Sequence, residues 1–161
     1  MKVYHGSLEV VEHPMILPPN RTLDYGKGFY TTTSEKQAKE WVERRMAEKH
    51  FQCGYINIYD FESKMVAELK SLMFTEPTVE WAEFVMANRT NKNFTHDYDI
   101  VFGPVVNDRV YLQFGLYEAG VISIDTLIRE LKTYKLVDQY LFHTEKALTT
   151  LKFIEAIKIE I

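Results

Sequence analysis

The sequence predicts an α+β fold in a single domain that spans residues 1–161. Strand-like and helix-like segments both occur, but they do not alternate regularly as they do in a doubly wound sheet. Hydrophobic residues make up 46% of the chain and charged residues 26%, which is ordinary for a folded globular protein. The length suits one domain, and no repeat, low-complexity tract or linker divides it.

The first half of the chain carries strand, loop and helix signals in turn. KVYH has the composition of a short first strand, and three prolines in residues 8–24 predict an extended loop. Two glycines in YGKGFYTTT predict a tight loop that leads into a second short strand. Ser34 and Gln37 have the spacing of a capping box, which predicts a helix that continues to His50. GYINIYDFE then has the β-branched and aromatic content of a strand.

The second half continues with mixed elements. TVEWAEFVMANR places apolar residues at helical spacing after Thr78, a possible cap. YDIVFGPVV is a nearly continuous apolar run stopped by a Gly-Pro pair, which predicts a buried strand. DRVYLQFGLYEAG predicts a helix that ends at Gly120, and SIDTLIRELKTY predicts another, capped by Ser123 or Asp125. QYLFHT, TEKALTTL and KFIEAIKIEI predict a strand, a short helix and an alternating final strand.

Composition and motifs exclude several classes of function. The net charge of −4 gives no general attraction to nucleic acid or to an anionic membrane, although a local basic groove stays open. The single cysteine, Cys53, can form neither an internal disulfide nor a cysteine zinc cluster, and it is interpreted as a small buried residue. No histidine has a partner at metal-ligand spacing, so we predict no metal site. The lack of a signal peptide and of a bilayer-spanning run predicts a cytoplasmic protein.

Three short motifs remain, and their order along the chain favours a shared functional role over separate structural roles. YHGS contains His5 and Gly6, GKGFYTTT contains Tyr30, and DQYLF contains Gln139. Taken singly, each has a plain structural explanation: a hydrogen-bonded histidine at a strand end, a core aromatic residue, and a solvated strand start. Their occurrence together in this order indicates that the three motifs contribute to one functional site.

The order of these motifs resembles the ADP-ribosyltransferase superfamily, in the His-Tyr-Glu branch of diphtheria-type toxins and poly(ADP-ribose) polymerases. Nearly the whole chain is also similar to a bacterial domain-of-unknown-function family placed in that superfamily. The similarity is carried by LDYGKGFYTTTSEKQAKEW, EWAEFVMANR, YDIVFGPVVNDRV and FHTEKALTTLKFI. The resemblance implies an ADP-ribosyltransferase-like fold, with two packed sheets, flanking helices and a cleft for NAD.

The resemblance also implies a set of NAD-binding residues and no metal. His5 would hydrogen-bond a ribose hydroxyl, the Gly6 backbone would pair with the nicotinamide amide, and Tyr30 would stack on the nicotinamide ring. Ser7 and Gly28 complete the implied cofactor-binding set. The implied activity is mono-ADP-ribosyl transfer from NAD, the co-substrate, to an unknown acceptor with release of nicotinamide. A small antitoxin protein is an implied partner.

Gln139 departs from the pattern, because the superfamily has a glutamate at the corresponding place. A glutamine keeps an acceptor oxygen but carries no charge, so it can orient a substrate and cannot act as a base. We therefore expect no polymer elongation, and we expect Gln139→Glu to raise turnover. His5, Tyr30 and Gln139 form the predicted catalytic set. An NAD- or ADP-ribose-binding module with little turnover and an NAD glycohydrolase stay open as alternatives.

Two polar residues follow Gln139 closely in the sequence. On a strand, Gln139 and His143 would face the same side about 13 Å apart, so both could line one cleft. Glu145 falls in the predicted first turn of a helix, where the helix dipole favours an acidic side chain. We therefore expect a structural role for Glu145.

The segment PVVNDR and the two tryptophans have competing interpretations. Asn107, Asp108 and Arg109 could form a helix cap and a salt bridge, or they could belong to the acceptor site, and capping is favoured for Asp108. Trp41 and Trp81 occupy apolar helix positions, which places both in the predicted core.

Overall fold

The computed structural model describes residues 1–19, 23–134 and 136–161, and it has an α+β architecture. The strands are β1 (Lys2–Ser7), β2 (Phe29–Thr32), β3 (Cys53–Phe61), β4 (Ser71–Met73), β5 (Ile100–Pro104), β6 (Asp138–Phe142) and β7 (Leu151–Glu160). The helices are α1 (Glu35–Lys49), α2 (Val79–Thr90), α3 (Asp108–Glu118), α4 (Ile124–Leu131) and α5 (Glu145–Leu148), and a 3-10 helix covers Ser63–Glu68. Among the described residues, no helix is both long and apolar enough to cross a bilayer.

The seven strands form one mixed sheet in the order β4-β5-β6-β2-β1-β3-β7. β4 runs parallel to β5, and every other neighbouring pair is antiparallel. β1 pairs with β3 along its whole length, whereas β1 and β2 are in register only at Tyr4 and Thr32. One sheet therefore replaces the two packed sheets that the resemblance implied, because this narrow seam joins two well-paired halves.

Every predicted strand and helix is present, and several predicted caps are confirmed. The side chains of Ser34, Thr78 and Ser123 accept hydrogen bonds from backbone N–H groups in the first turns of α1, α2 and α4. Asp108 is the first residue of α3, and the capping role predicted for its side chain lies outside the described residues. Asn107 is the N-cap of α3, because its side-chain oxygen accepts the hydrogen bond from the Val110 N–H.

The helices bury the sheet in three hydrophobic clusters. One cluster joins α2, α3 and α4 to β5 and β6, and it contains the fully buried Trp81, which confirms the core prediction for this residue. A second lies under α1, and a third contains Phe29 and Tyr59. Trp41 belongs to none of them and is 42% exposed, so its predicted place in the core is wrong.

Candidate functional site

A pocket of about 740 Å³ lies where β1 and β2 diverge beyond their seam. His5 and Ser7 line it from β1, and Gly28, Phe29 and Tyr30 line it from the start of β2. The 9–17 loop also lines the pocket, and it contributes apolar residues together with two glutamates and a histidine. Four of the residues predicted to bind NAD, namely His5, Ser7, Gly28 and Tyr30, therefore line one pocket.

His5 has the hydrogen-bonding arrangement of a neutral acceptor. Its Nδ1 donates to the Tyr30 carbonyl oxygen at 2.6 Å, and its ring lies against Phe29 with centroids 4.3 Å apart. Burial lowers the pKa of His5 below its ordinary value, and the bond to Tyr30 opposes that shift. Because Nδ1 carries the proton, Nε2 keeps a lone pair, and no described residue donates to it. This atom can accept a hydrogen bond from a ligand hydroxyl.

The phenol of Tyr30 is held by the glycine-rich loop that precedes it. Its hydroxyl donates to the Gly26 carbonyl at 2.7 Å and accepts from the Tyr25 N–H at 3.1 Å. Side chains alternate along a strand, so this phenol points away from the face that Phe29 shares with His5. The structure thus brings His5 to the backbone of Tyr30, and the two rings do not face each other across a slot.

Gly6 is required by the close approach of α1. A Cβ at this position would lie 2.7 Å from a Val42 methyl group and 2.8 Å from the Ala38 carbonyl oxygen. Trp41 on the same helix lies beside Gly6 and lines a second pocket of about 300 Å³ with Ser7. Its exposed indole provides a flat apolar face next to the main pocket. The pattern of apolar residues in α1 gave no sign of this placement.

Gln139 lies in the centre of the sheet, in register with Thr32 and Gly103, and is only 8% exposed. Its Nε2 donates to the Pro104 carbonyl at 3.3 Å, and its side chain also hydrogen-bonds the Tyr25 hydroxyl. It is absent from the described lining of the His5 pocket. The structure therefore does not bring Gln139 to His5. Gln139 is also not a solvated residue at a strand start, which was the alternative interpretation.

His143 follows the end of β6 and contacts the glycine-rich loop. Its Nδ1 donates to the Lys27 carbonyl at 2.7 Å, and its ring centroid lies 4.4 Å from that of His96. Burial and the neighbouring His96 lower the pKa of His143 to about 4, although the bond to Lys27 opposes the shift. Neither His143 nor Gln139 belongs to the described lining of the pocket, so they do not share it as predicted.

The remaining residues singled out in the sequence lie outside the described lining of the main pocket. Glu145 lies in the first turn of α5 behind the N-cap Thr144, as predicted. The Arg109 guanidinium lies over the ring of Tyr134, 4.5 Å from its centroid. Cys53 is a free, half-buried thiol at the start of β3. Within the part of the chain that the structure describes, no group of three acidic, histidine or cysteine residues could hold a metal ion.

Asn57 is the residue of this region that the sequence analysis missed. It is fully buried in β3, its side-chain oxygen accepts from the Val11 N–H at 2.8 Å, and its Nδ2 donates to the carbonyls of His5 and Glu9. Tyr59 adds a hydrogen bond from its hydroxyl to the Val11 carbonyl. These contacts fix the pocket wall to the sheet. The signal was an amide in the middle of the apolar segment GYINIYDFE.

Comparison with known proteins gives one match. No curated protein and no solved structure matches the chain. A family model described as "Protein of unknown function (DUF3990)" matches residues 1–153, which is nearly the full length of the chain. This agrees with the predicted similarity to a domain-of-unknown-function family. On this match, the chain belongs to the DUF3990 family.

Proposed function

We propose that this protein is an NAD-dependent mono-ADP-ribosyltransferase that binds NAD in the pocket between β1 and β2. One observation carries the proposal. His5, Ser7, Gly28 and Tyr30, which the resemblance implies for NAD binding, come from two separate parts of the chain and line the same pocket. The pocket is large enough for a ligand of this size and is mostly apolar, as ligand sites usually are.

The pocket residues suit the cleavage of the bond between nicotinamide and ribose. His5 Nε2 would accept a hydrogen bond from a ribose hydroxyl, and the exposed Trp41 indole offers a face for the nicotinamide ring. As this bond breaks, positive charge develops on the ribose while nicotinamide leaves as a neutral ring. Glu9 and Glu12 line the pocket, and their carboxylates would stabilise that charge.

Transfer then needs a base for the acceptor. The acceptor's nucleophilic atom forms a bond to the ribose carbon that nicotinamide has left, and its proton must pass to a basic group. Gln139 cannot take a proton and is buried elsewhere, so it is not suited to this step. Glu9 lines both the main pocket and the smaller pocket beside Trp41, which makes it our candidate base.

The test follows both products of NAD cleavage. The purified protein is incubated with NAD labelled in its adenylate half, together with a cell extract, and free nicotinamide and labelled macromolecule are measured. We expect both to appear, and we expect both to fall in Glu9→Gln, whereas Glu62→Gln, at an exposed position directly after β3, should behave as the wild type. Nicotinamide release without label would indicate a glycohydrolase. The absence of both NAD binding and nicotinamide release would contradict the proposal.

A second candidate function is a binding module for NAD or ADP-ribose with little turnover. It is favoured by the hydrogen bonds of Gln139, which tie the residue at the implied catalytic position to Tyr25 and Pro104. NAD binding without nicotinamide release would support it. The acceptor, the antitoxin partner and the cytoplasmic location stay predictions from the sequence.

A further inference from the structure

The loop before β2 has three consecutive carbonyl groups that are each held by a side-chain donor. Each donor comes from a different part of the chain, and two of the three are histidine rings. The donor atoms, their carbonyl acceptors and the separations are His96 Nε2 to Tyr25 at 3.2 Å, Tyr30 Oη to Gly26 at 2.7 Å, and His143 Nδ1 to Lys27 at 2.7 Å. The peptide planes of this loop are therefore fixed in orientation.

This orientation determines where the N–H groups of the loop point. In a planar trans peptide the carbonyl and the following N–H point in opposite directions. Because the carbonyls of Gly26 and Lys27 turn toward Tyr30 and His143, the N–H groups of Lys27 and Gly28 turn the other way. Neither N–H donates to any residue that the structure describes. Gly28 lines the main pocket and Lys27 directly precedes it, which brings these two donors beside the pocket.

Glycine is needed at both ends of this turn. Gly26 has a φ of 84°, which favours glycine, and a Cβ there would lie 2.9 Å from the Asn88 side-chain oxygen. A Cβ on Gly28 would lie 2.8 Å from His143 Nδ1. The glycines thus allow the loop to pass close to the side chains that hold its carbonyls.

Lys27 adds a positive charge at the same edge. Its side chain is exposed, and it forms no ion pair with a described residue. Lysine and arginine are absent from the described lining of the main pocket, whereas Glu9 and Glu12 belong to it. An anionic group in the pocket would therefore be repelled by these two glutamates and attracted toward Lys27.

We propose that the Lys27 ammonium and the N–H groups of Lys27 and Gly28 form a phosphate-binding edge of the main pocket, which takes the pyrophosphate of NAD. This inference rests on the proposed function for the choice of ligand. Oriented backbone N–H groups beside a lysine are a common way to bind phosphate. His143 and His96 are positioning residues, because they hold the carbonyls that would otherwise compete for this edge.

Calorimetric titration tests whether the charge of the Lys27 side chain contributes to phosphate binding. The ligands are NAD, ADP and nicotinamide riboside, which lacks phosphate, and the variants are Lys27→Gln, Lys27→Arg and the exposed control Lys64→Gln. We expect Lys27→Gln to lower the affinity for NAD and for ADP about tenfold or more, since the substitution removes a charge-assisted contact. Lys27→Arg should keep most of the affinity, and nicotinamide riboside should bind all variants equally. Equal ADP affinity for the wild type and Lys27→Gln would overturn the inference.

The positioning role of His143 is tested by a separate pair of variants. A glutamine at position 143 can still donate to the Lys27 carbonyl, whereas an alanine cannot. We therefore expect His143→Ala to weaken ADP binding and His143→Gln to restore part of it, with nicotinamide riboside unaffected in both folded variants. Equal loss for the phosphate-free ligand would contradict a role in phosphate recognition.

The outcomes separate this inference from the proposed function. ADP binding that depends on Lys27, without nicotinamide release from NAD, supports the phosphate edge and contradicts the transferase. Nicotinamide release that is unchanged in Lys27→Gln, with unchanged NAD affinity, supports the transferase and overturns the phosphate edge. A wild-type protein that binds neither ADP nor NAD overturns both.

Discussion

Two buried amide side chains, Asn57 beside the pocket and Gln139 in the centre of the sheet, fix local structure through hydrogen bonds. Each lies at a central position of the sheet, and its side chain hydrogen-bonds backbone atoms or another buried side chain. A buried polar group that loses its partner typically costs about 1–3 kcal/mol of folding free energy. Changes at either residue should therefore lower stability, and changes at Asn57 should also affect ligand binding through the pocket wall.

Asn57→Ala should destabilise the protein and loosen the 9–17 loop. The substitution leaves the Val11 N–H and the carbonyls of His5 and Glu9 without their side-chain partner. We expect a loss of about 2–4 kcal/mol in the free energy of unfolding, measured by urea denaturation, together with faster proteolysis within the loop. Asn93→Ala, at an exposed position, should change neither property. A loop that resists proteolysis as well in Asn57→Ala as in the wild type would contradict this anchoring role.

Gln139→Glu should destabilise the protein rather than activate it. The substitution removes the donor to the Pro104 carbonyl and places a carboxylate in a buried site. Burial would raise the pKa of that carboxyl, and its protonated form could still donate to Pro104. The loss of stability should therefore be small at low pH and grow as the pH rises, which thermal unfolding between pH 4 and about pH 8 would measure. Higher nicotinamide release from a fully stable Gln139→Glu protein would restore the catalytic interpretation of this residue.

At the scale of elements, the packing of α1 on β1 sets the position of His5 and Ser7. The helix approaches the strand at Gly6, where the space for a side chain is already taken by Val42 and by the Ala38 carbonyl. The Ala38 oxygen is a backbone atom, so it can give way only if the helix moves. The first strand and the first helix thus act as one unit in holding the pocket residues.

Gly6→Ala should shift α1 away from β1 and destabilise the fold. An added methyl group at this tightly packed position should cost about 1–3 kcal/mol. Gly115→Ala is the matched control, because a Cβ there meets nothing within 4 Å and the position lies inside α3. Alanine in a helix is favoured over glycine, so this control should be stabilised by about 0.5–1 kcal/mol. Similar unfolding midpoints for the two variants would contradict the packing account.

Elements with strong local signals could be predicted, whereas the contacts between them could not. Ser34, Thr78 and Ser123 cap helices as their side chains and spacing indicate. β4 was missed because it has only three residues and depends on pairing with β5. The single sheet was also missed, since the pairing of Tyr4 with Thr32 across the seam leaves no periodic pattern in either segment.

At the scale of the whole molecule, the candidate site was predicted in part. His5, Ser7, Gly28 and Tyr30 line one pocket, as their order in the motifs implied. The placement of Gln139 was not predicted, because its partners Tyr25 and Pro104 lie far away in the sequence. Long-range hydrogen bonds of this kind depend on tertiary packing, which one sequence does not reveal.

The buried histidines should make the stability of the whole protein fall in mild acid. Burial lowers the pKa of His5, and it lowers that of His143 to about 4, so the unfolded chain takes up protons that the folded protein does not. Stability should therefore be greatest above about pH 6.5 and decrease as the pH falls toward about 4. Over that pH range, the free energy of unfolding of His143→Gln should fall by about 1–3 kcal/mol less than that of the wild type, as measured by urea denaturation. His50→Asn serves as the control. Parallel pH profiles for all three proteins would contradict this assignment.

A titration with NAD decides whether the pocket between β1 and β2 is the NAD-binding site. NAD is titrated by calorimetry into the wild type, His5→Ala and the control His50→Asn, after each protein is shown to be folded. We predict that the wild type and the control bind NAD equally, and that His5→Ala binds it about tenfold or more weakly, because the variant loses the acceptor Nε2 and the ring against Phe29. No NAD binding by the folded wild type, or equal affinity for wild type and His5→Ala, would contradict the account.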